Sequence, residues 1–568
     1  MARRVRLRPW QKRALDLLTA SPNPDFLTVA TPGAGKTTFA LCAAISDMAA
    51  NPGRRLIVVA PTSHLKLQWA DAAGRFGLHL EPGWTPAGGR LPADVHGIVT
   101  TYQQVASNPE AIRPLAARSL AVLDEVHHAG DERAWGDAVR RAFEVSPRRL
   151  SLSGTPFRSD TRAIPFVSYV LDEARPDFEY GYADALADGR VVRPVYFPRV
   201  NGFMEWVAPD GTTNAAGFDD ALDRTASAQR LRTALSLEGE WLATVLLQAD
   251  ERLAGIRKVQ PDAGGLVIAA DQDHAKGIAD ILRYRCGRKA TVAVSDDPTS
   301  SARIAKFAEG TDPWIVAVRM VSEGVDIPRL RVGVYATTTT TDLFFRQAVG
   351  RFVRWTRGVP RQKAYLFIPD DPRLRTWANQ IADARRHSLR KPAEDAAGEP
   401  LPPDDGSAFD ELRHEDDTGE QLSMFAALSA VVTGDAEESS VFHLDDEVLD
   451  RLDRDDASDL VALDGALDLA LPLLPGGRAP ALDGDGDGNG NGNGNGNGAA
   501  EHNPRQHRLE LRAQNQRLAQ ELARRTGLTH AQVNGQLNRL VGLRRIDEAT
   551  VDQLGRRAKQ AEQWLAKA

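Results

Sequence analysis

Between residues 26 and 156, short apolar runs alternate with stretches of helical character. FLTVA, RLIVVAP, GIVTT, LAVLDE and RLSLSG are apolar along most of their length, as strands covered on both faces are. A helix-like stretch follows most of them, the pattern of a parallel sheet in an α/β layer fold. The rhythm returns in GLVIAA, ATVAVS, WIVAVRM, RVGVYAT and KAYLFIP, so two α/β domains in tandem are expected. Residues 193–232, with Pro, Gly and Asn, read as a connector or small insertion between them. After residue 372 the rhythm stops. Residues 391–500 are rich in Asp, Ala, Pro and Gly and end in DGDGDGNGNGNGNGNG, which lacks apolar side chains and reads as a flexible tether. Two apolar islands inside it, LSMFAALSAVV and LVALDGALDLALPLL, are expected to be short helices that touch another part of the chain. The last segment is helical throughout. The expected division is 1–192 and 236–385 for the two α/β domains and 193–235 for the connector. An acidic low-complexity linker at 386–503 and a small all-α domain at 504–568 complete it.

Composition narrows the class. With 42% apolar and 26% charged residues the chain has the balance of a globular enzyme, and no stretch approaches the roughly 18 apolar residues of a membrane span. The N-terminal MARRVRLRPWQKRAL has no apolar signal core, so a cytoplasmic protein with no membrane partner is expected. Cys42 and Cys286 are the only cysteines, which excludes a disulfide scaffold, a four-cysteine zinc site and a four-cysteine iron–sulfur cluster. The net charge of −7 conceals an asymmetry: residues 391–500 hold 27 Asp and Glu against 5 Lys and Arg. The remainder is therefore basic by about +15, and the final segment alone by about +7, a footprint suited to a polyanion.

The chemistry-bearing motif is TPGAGKTT, residues 31–38, between the strand FLTVA and the helical FALCAAI. A Gly-rich turn from strand to helix aims backbone N–H groups at a phosphate, at the positive end of the helix dipole. Thr31, Gly33, Ala34, Gly35, Lys36, Thr37 and Thr38 are the candidate nucleotide-binding residues. In such a loop the lysine reaches the β- and γ-phosphates and the following hydroxyl ligates Mg²⁺. One position departs from the G-x-x-x-x-G-K-[ST] pattern, its first Gly being Ala30. SLAVLDEVHH ends a second apolar strand with Asp124 and Glu125, at the end where open α/β sheets hold their ligands. Asp124 suits a Mg²⁺ partner, with Thr37, and Glu125 suits polarising an attacking water.

With these motifs the chain resembles the superfamily 2 DEAD/DEAH-box helicases and translocases, over about residues 5–370, and more narrowly their DEAH-like, type III restriction translocation-subunit-like branch. The resemblance implies two RecA-like domains, ATP and Mg²⁺ as cofactors, and ATP hydrolysis coupled to movement on nucleic acid. LRPWQ, with Arg8 and Gln11, looks like the adenine-reading motif, and DEVH like a DEAH-type box with Val in third place. His127 and SLSGTPFRSD, with Ser153 and Thr155, look like the elements that couple hydrolysis to movement. VVAPTSHLKLQW and IVTTYQQV resemble the two strand-end motifs that grip a nucleic-acid backbone, and with Arg319 they make Thr62, His64, Thr101 and Tyr102 the polymer-contact candidates. VRMVSEGVDIP, with Gly324 and Asp326, looks like the fifth motif, and FFRQAVGRFVR like the sixth. In the sixth, Gln347, Arg351 and Arg354 are expected on one helix face, at i, i+4 and i+7. With Lys36 and Glu125 they are the catalytic candidates.

DEVH and Gln347 lean to DNA over RNA as the partner. The function implied is an ATP-dependent DNA helicase or translocase. An RNA helicase of the same fold and an ATP-gated nucleic-acid-binding scaffold or translocation subunit of a larger complex stay open. In the tail, Ala523, Gly527 and Val533 fall at helix-turn-helix spacing, although Gln536 stands where an apolar residue is wanted. A small helical bundle that packs on the rest of the chain or binds a protein partner fits equally well.

Overall fold

The computed structural model describes residues 3–86, 91–130, 133–155, 164–170, 173–208, 211–294, 299–318, 327–356, 358–359, 362–390, 426–433, 467–471 and 504–567. The expected strands form two seven-stranded sheets. In the first, all pairings are parallel and the order is Phe178–Tyr180, Asp25–Ala30, Arg148–Ser153, Ser119–Leu123, Arg55–Ala60, Gly97–Thr101, Leu80–Glu81. In the second, also parallel, Leu330–Ala336 and Gly264–Ala269 lie centrally, between Ala364–Pro369 on one side and Trp314–Val318 and Ala290–Ala293 on the other. Strands such as Ser119–Leu123 and Leu330–Ala336 are buried at every position, which is why they read as unbroken apolar runs. The fold is α/β, with two RecA-like parallel-sheet domains in tandem.

The order in the first sheet fixes what lies beside what. Ligand chemistry in such sheets sits at the carboxyl ends of the strands. Along that edge the P-loop after Ala30 comes first, then Ser153, then Asp124, then Thr62, then Thr101. The acidic box thus lies between the nucleotide side and the side carrying the polymer-contact candidates.

The connector is more structured than its composition suggests. Val195–Tyr196 and Arg199–Val200 join the second sheet beside Ala364–Pro369, and Gly202–Val207 and Thr213–Gly217 form an antiparallel hairpin. Gly202 permits that hairpin, since a Cβ there would lie 2.5 Å from the Trp241 ring.

The two apolar islands are strands, not helices. Ala426–Val432 adds to the hairpin as a third strand, and Leu467–Leu471 pairs antiparallel with Arg3–Leu7. Each island meets an open strand edge, and backbone pairing to that edge satisfies its N–H and C=O groups. The rest of the expected tether, 391–425, 434–466 and 472–503, lies outside the described residues.

The C-terminal domain is helical, as expected. Its helices Pro504–Thr526, His530–Leu540 and Val551–Leu565 pack Ala519, Leu522, Val533, Leu537 and Ala561 together. Gly527, at φ 71°, makes the tight turn after the first helix. Val533 and Leu537, one turn apart, form the buried stripe, and Gln536 faces solvent. Arg557 is fully buried and donates to the side-chain oxygens of Asn515, Asn534 and Asn538, so one guanidinium ties all three helices. The bundle docks on the first domain through Asp94, which accepts from the Val551 backbone N–H and pairs with the buried Arg508. A carboxylate at a helix N-terminus complements the helix dipole.

Candidate nucleotide site and its coupling network

The loop from Thr31 to Gly35 turns on two glycines with positive φ, Gly33 at 84° and Gly35 at 96°, and the helix Lys36–Ala50 starts directly after it. A side chain at either would be strained by the positive φ, and a neighbouring side chain already stands close. A Cβ on Gly35 would lie 2.7 Å from Gln11 Nε2, and one on Gly33 would lie 3.3 Å from the Arg354 side chain. The loop is held from outside by the N-terminal motif. Arg8 donates to the carbonyls of Gly33 and Ala34, Trp10 Nε1 to Ala34 (3.1 Å), and Gln11 to Gly35 (3.0 Å). Trp10 is itself wedged between Phe39 and the stacked Phe178 and Tyr180 rings.

Lys36 Nζ lies 2.6 Å from Glu125 Oε1, and the other oxygen of Glu125 accepts from the Gly154 N–H at 2.9 Å. Glu125 adopts φ 46°, a left-handed conformation unusual for a carboxylic side chain, and its carboxylate meets Lys36 across the sheet edge. Burial works to raise its pKa, but the Lys36 charge, His127 and the two donors outweigh it and hold Glu125 below the ordinary carboxylate range. Asp124 is pushed the other way, by burial first and by the adjacent Glu125 charge second. Trp69 Nε1 donates to Asp124 Oδ2 at 2.7 Å, and the Tyr102 hydroxyl donates to the Asp124 carbonyl at 3.0 Å.

His127 links the two domains. Its Nε2 lies 3.1 Å from Gln347 Nε2, and its Nδ1 lies 3.3 Å from Ser153 Oγ and 3.8 Å from Glu125 Oε2. The Gln347 amide of the second domain thus meets one ring nitrogen of His127, and Ser153 and Glu125 of the first domain meet the other. The Ser153 hydroxyl donates to the Thr155 carbonyl at 2.7 Å. Arg354 reaches the P-loop from the second domain, and its backbone bridges Val192 in antiparallel pairing. Gly350 lies against Pro32, where a Cβ would come within 2.6 Å.

A profile of the type III restriction enzyme res subunit matches residues 4–158. An uncharacterized protein of Mycobacterium leprae, ML1624, is 46% identical over 402 residues, covering 70% of this chain and 67% of that protein. The chain belongs to the superfamily 2 helicase-type family. A second uncharacterized relative, Rv2917 of Mycobacterium tuberculosis, is 48% identical over 402 residues, 70% of this helicase-type chain, which spans 66% of that relative's length. The DNA 3'-5' translocase XPB2 of Sulfurisphaera tokodaii is similar at 23% identity, over 57% of this chain and 73% of that one.

Several of the residues singled out in this helicase-type sequence lie together: Arg8, Gln11, the P-loop, Glu125, His127, Ser153, Gln347 and Arg354. Three expectations change. Tyr102 is fully buried, stacked on Trp135 with its hydroxyl on Asp124, so it is not a polymer contact. Thr101 is also buried, with its hydroxyl capping the Gln104 N–H, whereas Thr62 and His64 stay partly exposed at the start of the helix Ser63–Arg75. Gln347, Arg351 and Arg354 do not share a helix face, because the helix ends at Val349. Gly350 and the turn after it carry Arg354 to the P-loop by another route. Arg319, Gly324 and Asp326 lie outside the described residues.

Residue-by-residue reading missed Trp10 and Trp69. Each stands inside a quoted motif, LRPWQ or LKLQW, but a tryptophan in such a run reads as core until its N–H finds an acceptor. Thr37 and Asp124 offer Mg²⁺ a hydroxyl and a carboxylate, the oxygen donors a hard cation takes, so the residues fit the ion. Among the described residues no three of His, Cys, Asp and Glu converge as a metal cluster, and no helix is long and apolar enough to cross a membrane.

Proposed function

We propose that this chain is an ATP-driven DNA translocase or helicase, with residues 1–192 and 236–385 as the two halves of its motor. The observation that carries the reading is the meeting of Lys36 and Glu125 with groups from the second domain, Arg354 at Gly33 and Gln347 at His127. Backbone N–H groups of residues 33–38 cradle the phosphates, and Arg8 and Gln11 hold that loop while the adenine lies near them. An incoming γ-phosphate competes with Glu125 for Lys36. As Lys36 turns to the phosphate, Glu125 loses the charge that depresses its pKa and gains basicity toward a water aligned for attack. Thr37 and Asp124 would hold Mg²⁺, which would supply positive charge beside the phosphates. Arg351 and Arg354 add positive charge from the second domain, an effect worth about 10³–10⁵ in rate in related phosphoryl transfers.

Hydrolysis then depends on the two domains staying closed. Release of products opens the Gln347–His127 contact, and the alternation drives steps along a strand gripped at Thr62 and His64. The choice of DNA draws on the restriction-enzyme profile and on the translocase relative. The test is steady-state ATP hydrolysis at low salt with no polymer, single-stranded, duplex or branched DNA, and RNA, since phosphate-driven binding weakens steeply as salt rises. Strong stimulation by one DNA form is expected. Stimulation by RNA alone overturns the choice of polymer, and indifference to every polymer overturns the motor.

A further inference from the structure

Asp124 is held twice from the polymer side of the sheet. Its carboxylate receives the Trp69 indole N–H at 2.7 Å, and its carbonyl receives the Tyr102 hydroxyl at 3.0 Å. Trp69 lies in the helix Ser63–Arg75, which opens with Thr62 as its cap and carries His64 in its first turn. Tyr102 opens the next helix, Tyr102–Ser107, capped by Thr101. The two helices are joined by Lys66 Nζ donating to Gln104 Oε1 at 3.0 Å. Trp69 sits seven residues after Thr62, about 10 Å along one continuous helix at 1.5 Å per residue, so the exposed cap and the indole belong to one element. Both side chains are buried, so neither touches a polymer itself.

We propose that Trp69, seconded by Tyr102, is the positioning residue through which a nucleic acid bound at Thr62 and His64 sets the orientation of the Asp124 carboxylate, and so couples polymer binding to the nucleotide site. The inference rests on the motor reading above and adds to it the route of coupling. It has a physical basis in the sheet order, because the Asp124 strand is the only one of the first sheet flanked by both the Ser153 strand and the Thr62 strand. The indole donates to Oδ2, so a shift of its helix acts directly on the carboxylate.

Coupling between two ligands is reciprocal, so it can be read in binding without turnover. The experiment measures the affinity of the full-length protein for a fluorescent DNA oligonucleotide, with and without a non-hydrolysable ATP analogue and Mg²⁺, alongside polymer-stimulated hydrolysis. Wild type is expected to show an affinity ratio within the usual range of about 5–150-fold. Trp69→Phe should keep its DNA affinity in the absence of nucleotide, while the ratio falls to about one and stimulation of hydrolysis is lost. Tyr102→Phe removes only a hydroxyl, leaves the stack on Trp135, and should lower the ratio in the same direction. If Trp69→Phe does not fold, Tyr102→Phe decides alone. A purely structural Trp69 lowers the melting temperature but leaves the ratio unchanged, and that result, or a wild-type ratio in Tyr102→Phe when it decides alone, overturns the proposal. A wild type with no coupling between DNA and nucleotide overturns the motor and the inference together.

Discussion

At the residue scale the site turns on two adjacent carboxylates with opposite surroundings. Asp124 is buried beside a like charge and Glu125 is paired with Lys36, so their pKa values are driven apart and their roles with them. Glu125→Gln keeps the size of the side chain and an acceptor for the Gly154 N–H but removes the base. ATP binding is expected to persist while turnover falls by about 10²–10⁴, the usual contribution of a general base; nucleotide titration and phosphate release check the two halves. Arg354→Ala should bind ATP with near wild-type affinity and lose about 10³ or more in turnover, measured in the same assays. Full activity in that variant would mean that the second domain does not complete the site. Most of these residues were legible in the sequence, because a P-loop and an acidic box owe their chemistry to local order. Trp69 was not, since its role depends on a partner 55 positions away.

At the element scale two pieces of the acidic segment are tied to the rest of the chain by strand pairing. Leu467–Leu471 pairs with Arg3–Leu7, and that strand runs straight into Arg8, Trp10 and Gln11, which hold the P-loop carbonyls. Val5 and Leu469 face one another in this register and both pack on the main core. A two-stranded ribbon has little stability of its own, so the apolar pair carries much of it. Leu469→Asp is expected to free the N-terminal strand. It should raise KM for ATP severalfold with little change in kcat, and limited proteolysis should show earlier cleavage before residue 8. An unchanged KM would separate the ribbon from the nucleotide loop. The short apolar runs of the islands carry no period long enough to separate helix from strand, and the strand edges beside them decide for strand.

At the scale of the whole molecule the C-terminal bundle sits at the opposite end of the first sheet from the nucleotide, latched by Asp94 to Arg508 and to the start of the helix Val551–Leu565. His79 lies beneath this contact, its backbone N–H on the His96 ring. Burial, reinforced by Arg508, lowers the His79 pKa from 6.5 to about 3. The unfolded chain therefore takes up a proton below about pH 6.5 that the folded chain refuses until about pH 3, and stability falls progressively between those values. Thermal unfolding from pH 7 to pH 4 should show this loss, and His79→Gln should flatten the part of the slope that His79 contributes. The same slope in the variant would assign the loss to other groups.

The sequence by itself determined the strands, the α/β class, the P-loop and the acidic box, because each is encoded within a few consecutive residues whose apolar pattern or backbone freedom allows little else. It also singled out Gln347 and Arg354, which meet His127 and the P-loop of the first domain, through the motif they share. Only the tertiary structure decided that Arg354 arrives through a turn after Gly350, that Tyr102 faces inward to Asp124, and that the acidic segment returns as strands. Those outcomes depend on which edges and buried acceptors lie nearby once the sheets are assembled, and contacts between residues far apart in the chain leave no local pattern to read.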